Sequence, residues 1–235
     1  MERFQKTGGI AALIMAATWL VGFAVLLGVL TPAGYYDPGV DAAGRVAILE
    51  DNQTIASIGY LVPFVVWGIF QVVLALALYD RLKAGAPAMT QTATAIGLIW
   101  AGLVIASGMV ANVGIATVVD LYERDPAQAG TAWQAIESVV LGLGGGNEIV
   151  GGVWVLLIGW AALRIGELPK ALNYLGIVAG VSGILTVIPV LEVLGAVEVL
   201  GLIFGLGLIV WFIWVGIVML RSSSSRTSER AQTAP

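Results

Sequence analysis

The stretch "LGLGGGNEIVGGVWVLLIGW", Leu141 to Trp160, decides how this chain is read. It has the length and the apolar content of a membrane span. Yet its first part holds four glycines, Gly142, Gly144, Gly145 and Gly146, followed by Asn147 and the carboxylate Glu148, with Gly151 and Gly152 just beyond. A span needs about 20 predominantly apolar residues to cross a hydrocarbon core of about 30 Å. Whether this stretch crosses depends on what a carboxylate is doing inside it.

The rest of the chain sets the context. Of 235 residues, 59% are hydrophobic and only 11% are charged, with a mean hydropathy of +0.95. Soluble domains carry about 25% charged residues. The chain has too little polar surface to coat a water-soluble globule and is expected to be an integral membrane protein. It has no Cys and no His. That excludes disulfides, thiolate or imidazole metal sites, haem on a His ligand, and Ser-His or Cys-His nucleophile pairs. Lys6, Lys83 and Lys170 all fall at span edges, which excludes a retinal Schiff base within a span. No basic cluster fits nucleic acid, and "GLGGGN" follows no strand and precedes no Lys, so it is not a phosphate loop. No cofactor, no metal site and no enzymatic activity are expected.

Six apolar segments pass the length test, near 8–30, 57–79, 92–118, 138–163, 171–190 and 198–220. The first follows two cations and is too long for a cleavable signal core. It reads as a retained helix, the alternative being a signal cleaved near "TPAG". The fifth is interrupted by Pro189, and its apolar connection to the sixth, "VLEVLGAV", reads as a tight turn or a short surface helix. The expected fold is all-α: a polytopic transmembrane helical bundle of six spans, as a single domain over 1–221, with a disordered polar tail at 222–235.

Charge gives the orientation. Arg3, Lys6, Arg81, Lys83, Arg164, Lys170, Arg221, Arg226 and Arg230 fall on one face, nine of the eleven Lys and Arg; Arg45 and Arg124 fall on the other. Positive residues mark the cytoplasmic side, so both termini are expected inside the plasma membrane. Of the 15 acids, only Glu2, Asp80, Glu167 and Glu229 lie on that side. The acidic outer face fits surface solubility or a saline habitat; a cation-attracting vestibule is the sharper alternative. In the first outer loop, "VDAAGRVAILE" suits a short amphipathic helix on the membrane surface. Tyr35, Tyr36 and Trp133 outside, and Tyr79, Trp160 and Tyr174 inside, suit the aromatic belts. "NQT" at Asn52 has the form of a glycosylation sequon, relevant only in a eukaryotic secretory pathway.

Two stretches belong together: "EDNQTIASIGYLVPFVVWGIFQVVLALALYDRLKAGAP", Glu50 to Pro87, and "GGVWVLLIGWAALRIGELPKALNYLGIVAGVSGIL", Gly151 to Leu185. The second has "GW" near the inner end of a span and then R-x-G-x-L-P-x-x-L-x-x-L-G leading into the next. The chain resembles the bacterial and archaeal membrane family catalogued as domain of unknown function 4386. The resemblance covers spans two, four and five and implies a bundle of six or seven spans. It implies no activity and no site residue. Physically, Gly166 can end span four in the left-handed cap conformation. Pro169 opens span five where its missing N–H costs nothing, and Arg164 and Lys170 hold the hairpin at the headgroups.

Intramembrane ionisable residues are costly and default to functional candidates. Glu148 precedes Arg164, the inner edge of span four, by 16 residues, roughly 24 Å at 1.5 Å per residue, which places it in the outer quarter of the core. Three readings stay open for the glycines around it. They permit close helix packing, as in the small-xxx-small spacing of Gly142 and Gly146. They permit the helix to break where Asn147 and Glu148 line a polar pocket. Or the span starts at Ile149, and Glu148 sits among headgroups. Asn112 on span three, at a similar depth, and Gln71 on span two, nearer the middle, are the further pocket candidates, with hydroxyls at Ser107 and Thr186. Glu137, Glu192 and Glu198 would ring the mouth. Trp67, Trp100, Trp154, Trp211 and Trp214 lie within spans, either as packing or as walls of an apolar ligand pocket. Beside the lipid bilayer, such a pocket would take a small ligand or a cation. The sequence carries no signal of oligomeric state. The functional expectation is a non-enzymatic membrane bundle with an outward-facing polar pocket at Glu148. The alternatives are a small transporter or a cation or proton pathway, and, more distantly, an intramembrane enzyme built on carboxylates.

Overall fold

A computed structural model describes residues 2–145 and 148–232 of the chain. Asn147 therefore lies outside the described residues. The described elements are helical. They run α1 (Glu2–Val25), α2 (Ala42–Asp51), α3 (Gln53–Tyr60), α4 (Trp67–Leu82), α5 (Pro87–Tyr122), α6 (Pro126–Val140), α7 (Ile149–Ile165), α8 (Lys170–Leu185), α9 (Pro189–Val193) and α10 (Ala196–Gln232). Among the described residues, three π-helical segments interleave with them: Leu26–Leu30 after α1, Leu61–Val66 before α4, and Leu141–Gly145 after α6.

The all-α transmembrane bundle expected from hydropathy is what forms. Among the described residues, five stretches are long and apolar enough to cross a membrane: Phe4–Leu30, Gln53–Leu82, Pro87–Tyr122, Pro126–Ile165, which is not one continuous helix, and Ala196–Ser222. The sixth expected span is α8, apolar but only 16 residues long. It stops at Leu185 rather than near 190. The chain turns at Thr186, and Pro189, which cannot donate to a preceding helical carbonyl, starts the separate helix α9. Helix ends elsewhere lie further out than the apolar segments suggested. α5 has 36 residues, against about 20 needed to span. α6 starts as early as Pro126, where the Asp125 side chain accepts from Gln128 N–H and Pro occupies the first turn. α10 continues to Gln232, so the backbone of the expected tail begins as an extension of the last helix.

The chain divides into two compact units. The first comprises residues 1–16, 69–101 and 148–235; the second comprises 17–68 and 102–147. In the first, helices approach until backbones touch. A Cβ on Gly152 would lie 2.7 Å from the Gly180 carbonyl oxygen and 2.9 Å from Ile184 N; one on Gly180 would lie 2.6 Å from the Gly152 oxygen. Gly9 and Gly216 bring α1 and α10 together in the same way, each reaching the other's carbonyl oxygen at about 3 Å. Trp154 is fully buried between Trp100 and Trp211, with ring centroids 5.6 Å from each. These tryptophans pack on one another and on glycines, Trp100 against Gly151 and Trp211 against Gly176.

The hairpin between α7 and α8 has the geometry its sequence announces. Gly166 takes φ 74 and donates to the Ala162 and Leu163 carbonyls. Pro169 flanks the first turn of α8 with extended backbone, φ −60 and ψ 135. Two supports are additional. Asn173 Nδ2, buried in α8, donates to the Glu167 carbonyl at 3.0 Å. Arg81 Nε at the end of α4 meets Glu167 Oε2 at 3.1 Å. That pair places the connection after α4 and the connection after α7 side by side, as the alternation of spans requires.

The second unit has its own core, in which Val25, Leu30, Val46, Leu49, Ile115, Val118 and Trp133 pack together. The amphipathic stretch after "YYDPG" does form a helix, α2, capped by Asp41 through Gly44 N–H at 2.7 Å. It docks on α6, burying Val46 and Leu49, and Gly130 of α6 allows the backbone of Ala42 and Ala43 to come close.

Candidate functional site

The fourth span is broken. After Val140 the helix widens into the π-helical segment, and Gly144 then leaves helical space altogether, with φ 153 and ψ 6. This backbone conformation is open to glycine and strained for any other residue. α7 begins afresh at Ile149, with Glu148 at its N-cap in a non-helical conformation, φ −91 and ψ 2. The Glu148 carbonyl starts the new ladder by accepting from Gly152 N–H at 2.8 Å. Its carboxylate caps no backbone N–H and takes part in none of the ion pairs among the described residues. The side chain is partly exposed.

The glycines divide between two jobs. Gly144 serves the break; Gly151 and Gly152 serve close packing, against Trp100 and against α8. Gly142 does neither, since a Cβ there would meet nothing within 4 Å. Ser107 helps hold the break's near side by donating from Oγ to the Val140 carbonyl at 2.8 Å.

The other expected site residues fare differently. Gln71, in the first unit, is fully buried, and neither its Nε2 nor its Oε1 has a hydrogen-bond partner among the described residues. A buried amide of this kind is costly and stands out. Asn112, in the second unit, spends its Nδ2 on backbone, donating to the Gly108 carbonyl at 3.1 Å and reaching the Ser57 carbonyl at 3.4 Å. It ties α5 to α3. Thr186 donates to the Gly183 carbonyl at 2.7 Å within its own turn. Glu192 and Glu198 are exposed.

Glu137 belongs to a cluster that the sequence did not reveal. Trp133 Nε1 donates to Tyr35 Oη at 2.7 Å, and Tyr35 Oη donates onward to Glu137 Oε1 at 3.1 Å. Arg45 Nη1 lies 3.6 Å from Glu137 Oε2, and its guanidinium stands 5.8 Å from the centre of the Tyr35 ring. Tyr35 and Trp133, expected as interfacial anchors, are instead buried, at 2% and 1% exposure. α2 and the turn before it cover them. Burial pushes the Tyr35 phenol far above its ordinary range, and the nearby Tyr60 and Glu137 add to the shift. Burial also raises Tyr36, with Glu137 adding and Arg45 opposing.

No curated protein and no solved structure matches the chain. One family does, over residues 7–216, described as Domain of unknown function (DUF4386). The match covers the first five expected spans and most of the sixth, more than the three whose motifs carried the resemblance. The chain, a multi-pass membrane protein of helical-bundle type, belongs to the DUF4386 family.

Proposed function

We propose that the protein is a non-enzymatic component of the plasma membrane, with both termini cytoplasmic, and that the broken fourth span presents Glu148 as a binding carboxylate open to the outer side. The observation that carries this reading is the break itself. Irregular backbone at membrane depth is tolerated where it is buried in protein or lines a polar cavity. Here it is joined to an uncapped, partly exposed carboxylate. Such a group attracts a small cation or the cationic end of a small ligand. Asn112 is accounted for by its backbone acceptors.

The test is thermal melting of the purified protein and of Glu148→Gln in one detergent, from pH 5 to 8, with and without added alkali and alkaline-earth cations. A variant more stable than the wild type, together with cation stabilisation seen only in the wild type, supports a carboxylate held at a cost for binding. A variant less stable at every pH, with no cation effect in either protein, makes Glu148 a structural acceptor and removes the binding role.

A transport pathway is the second reading, favoured by the unpartnered amide of Gln71 inside α4. The same two proteins in proteoliposomes separate it. A cation or proton flux abolished by Glu148→Gln makes the site part of a pathway, whereas binding without flux leaves it a receptor-like site.

A further inference from the structure

The connection from α8 to α10 is unlike the others in the first unit. The connections after α4 and after α7 carry Lys83 and Glu167 and place Asp80 and Arg81 beside them. The one after α8, "TVIPVLEVLG", exposes Val190, Val193 and Leu194 at 59%, 88% and 71%. Apolar side chains this bare at a loop tip do not suit water.

Helix length explains where they go. α8 has 16 residues, about 24 Å, and falls short of a hydrocarbon core of about 30 Å. Its register against α7 is fixed by two close approaches: Gly159 on the Asn173 carbonyl and Gly152 on the Gly180 carbonyl. In that antiparallel register Glu148 lies opposite Ile184, so both helices end at the same depth. A hairpin seated with Arg164 and Lys170 at one headgroup layer therefore ends before it reaches the other.

Much of the turn's backbone polarity is spent within the turn. Thr186, Ile188, Leu191, Leu194 and Gly195 donate their N–H groups to the carbonyls of Gly183, Leu185, Ile188, Val190 and Glu192, at 2.9 to 3.3 Å. A loop in hydrocarbon must satisfy its polar backbone internally. A loop in water need not.

We propose that the turn Thr186–Gly195 is immersed in the leaflet opposite the Leu168–Pro169 hairpin, with Val190, Val193 and Leu194 against phospholipid acyl chains. The exposed carboxylates of Glu192 and Glu198 reach the headgroup layer. The turn is thus an amphipathic lipid contact.

The chain has no native cysteine, so single labels report without background. Val193→Cys and, separately, Val190→Cys carry a nitroxide in phosphatidylcholine nanodiscs. Ala84→Cys, on the exposed connection after α4, is the aqueous reference. Both positions on the turn are expected to be relaxed by oxygen more than by a water-soluble nickel chelate, the reverse of Ala84→Cys. Nickel accessibility at both equal to that of Ala84→Cys would place the turn in water and overturn the proposal. Protection from both reagents would mean a protein partner or second copy covers it, and would overturn it equally. Two label sites keep one poorly folded variant from deciding the matter.

Discussion

In the first unit Gly152 and Gly180 let α7 and α8 touch backbone to backbone, while in the second Tyr35 and Trp133 join the chain before α2 to α6 by a hydrogen bond inside the core. The contrast runs through both. The π-helical segments described all belong to the second unit, one of them containing Pro63 and another ending at the break. Among the described residues, buried polar atoms without hydrogen-bond partners occur in both units, at Gln71 and the indole nitrogens of Trp154 and Trp211 in the first and at Arg45 Nε in the second. Lipid supplies no hydrophobic drive for helices to associate, so van der Waals contact and interhelical hydrogen bonds must do it. The first unit adds to its backbone contacts bonds that end on a backbone carbonyl, as from Gln5 Nε2 to Ala77 at 2.9 Å, while the core of the second contains a side chain to side chain relay from Trp133 through Tyr35 to Glu137.

The comparison breaks most sharply at Gly180. In Gly180→Ala the new methyl meets the Gly152 carbonyl oxygen at 2.6 Å and the Leu156 backbone nitrogen at 2.8 Å. Backbone atoms cannot swing aside, so α7 and α8 must separate. Overpacking of this kind costs about 1–3 kcal/mol and sometimes more. Gly142→Ala, in the π-helical segment with open space around it, is expected to change stability by less than about 0.5 kcal/mol. Melting of both variants in one detergent checks the pair. A Gly180→Ala protein as stable as the wild type would show that contact is not what holds the first unit.

The second unit is tested at Tyr35. Tyr35→Phe keeps the ring and removes the oxygen that accepts from Trp133, leaving a buried donor unpaired. That costs about 1–3 kcal/mol. Glu137→Gln is milder, because the Arg45 and Glu137 side chains are 34% and 22% exposed and pairs open to solvent contribute about 0–1 kcal/mol. Tyr35 also sets an alkaline limit. Its folded-state affinity for the proton is raised from the ordinary 10.0, chiefly by burial. The unfolded chain therefore loses the proton first. The stabilisation is complete below about pH 10 and declines as pH rises beyond it. Wild-type stability measured from pH 8 to 11 should fall above 10, and Tyr35→Phe should fall less steeply.

What the sequence made legible follows from which forces are local. Hydropathy gave six segments, and the R-x-G-x-L-P motif gave the turn at Gly166 and Pro169, because span length and cap chemistry act within a few residues. The break at Gly144 was one of three readings, since glycine permits both packing and interruption and only the neighbours decide. The Tyr35–Trp133 bond joins residues 98 positions apart, and nothing in either neighbourhood announces the other. The aromatic-belt rule therefore placed both at the interface, where the docking of α2 in fact buries them. The role of Asn173 is not local for the same reason. An Asn in a span is an ordinary interhelical donor until the hairpin folds back and puts the Glu167 carbonyl in its reach.

A small effect, of opposite sign in two variants, is expected at Leu168. Among the described residues other than glycine it alone has positive φ, at 63. An L-residue with a large side chain in this region is strained by about 1–2 kcal/mol. The strain persists because Gly166 has already turned the chain, Pro169 fixes the residue that follows, and Asn173 holds the Glu167 carbonyl just before. Asn tolerates the left-handed region, whereas a β-branched residue does not. Leu168→Asn should therefore raise stability by up to about 1 kcal/mol, less whatever apolar contact the half-buried leucine makes. Leu168→Val should lower it. Opposite signs in melting would show that packing of α7 on α8 holds the turn against its own backbone preference. Equal losses in both would show that the leucine side chain, not the backbone, is what the hairpin needs.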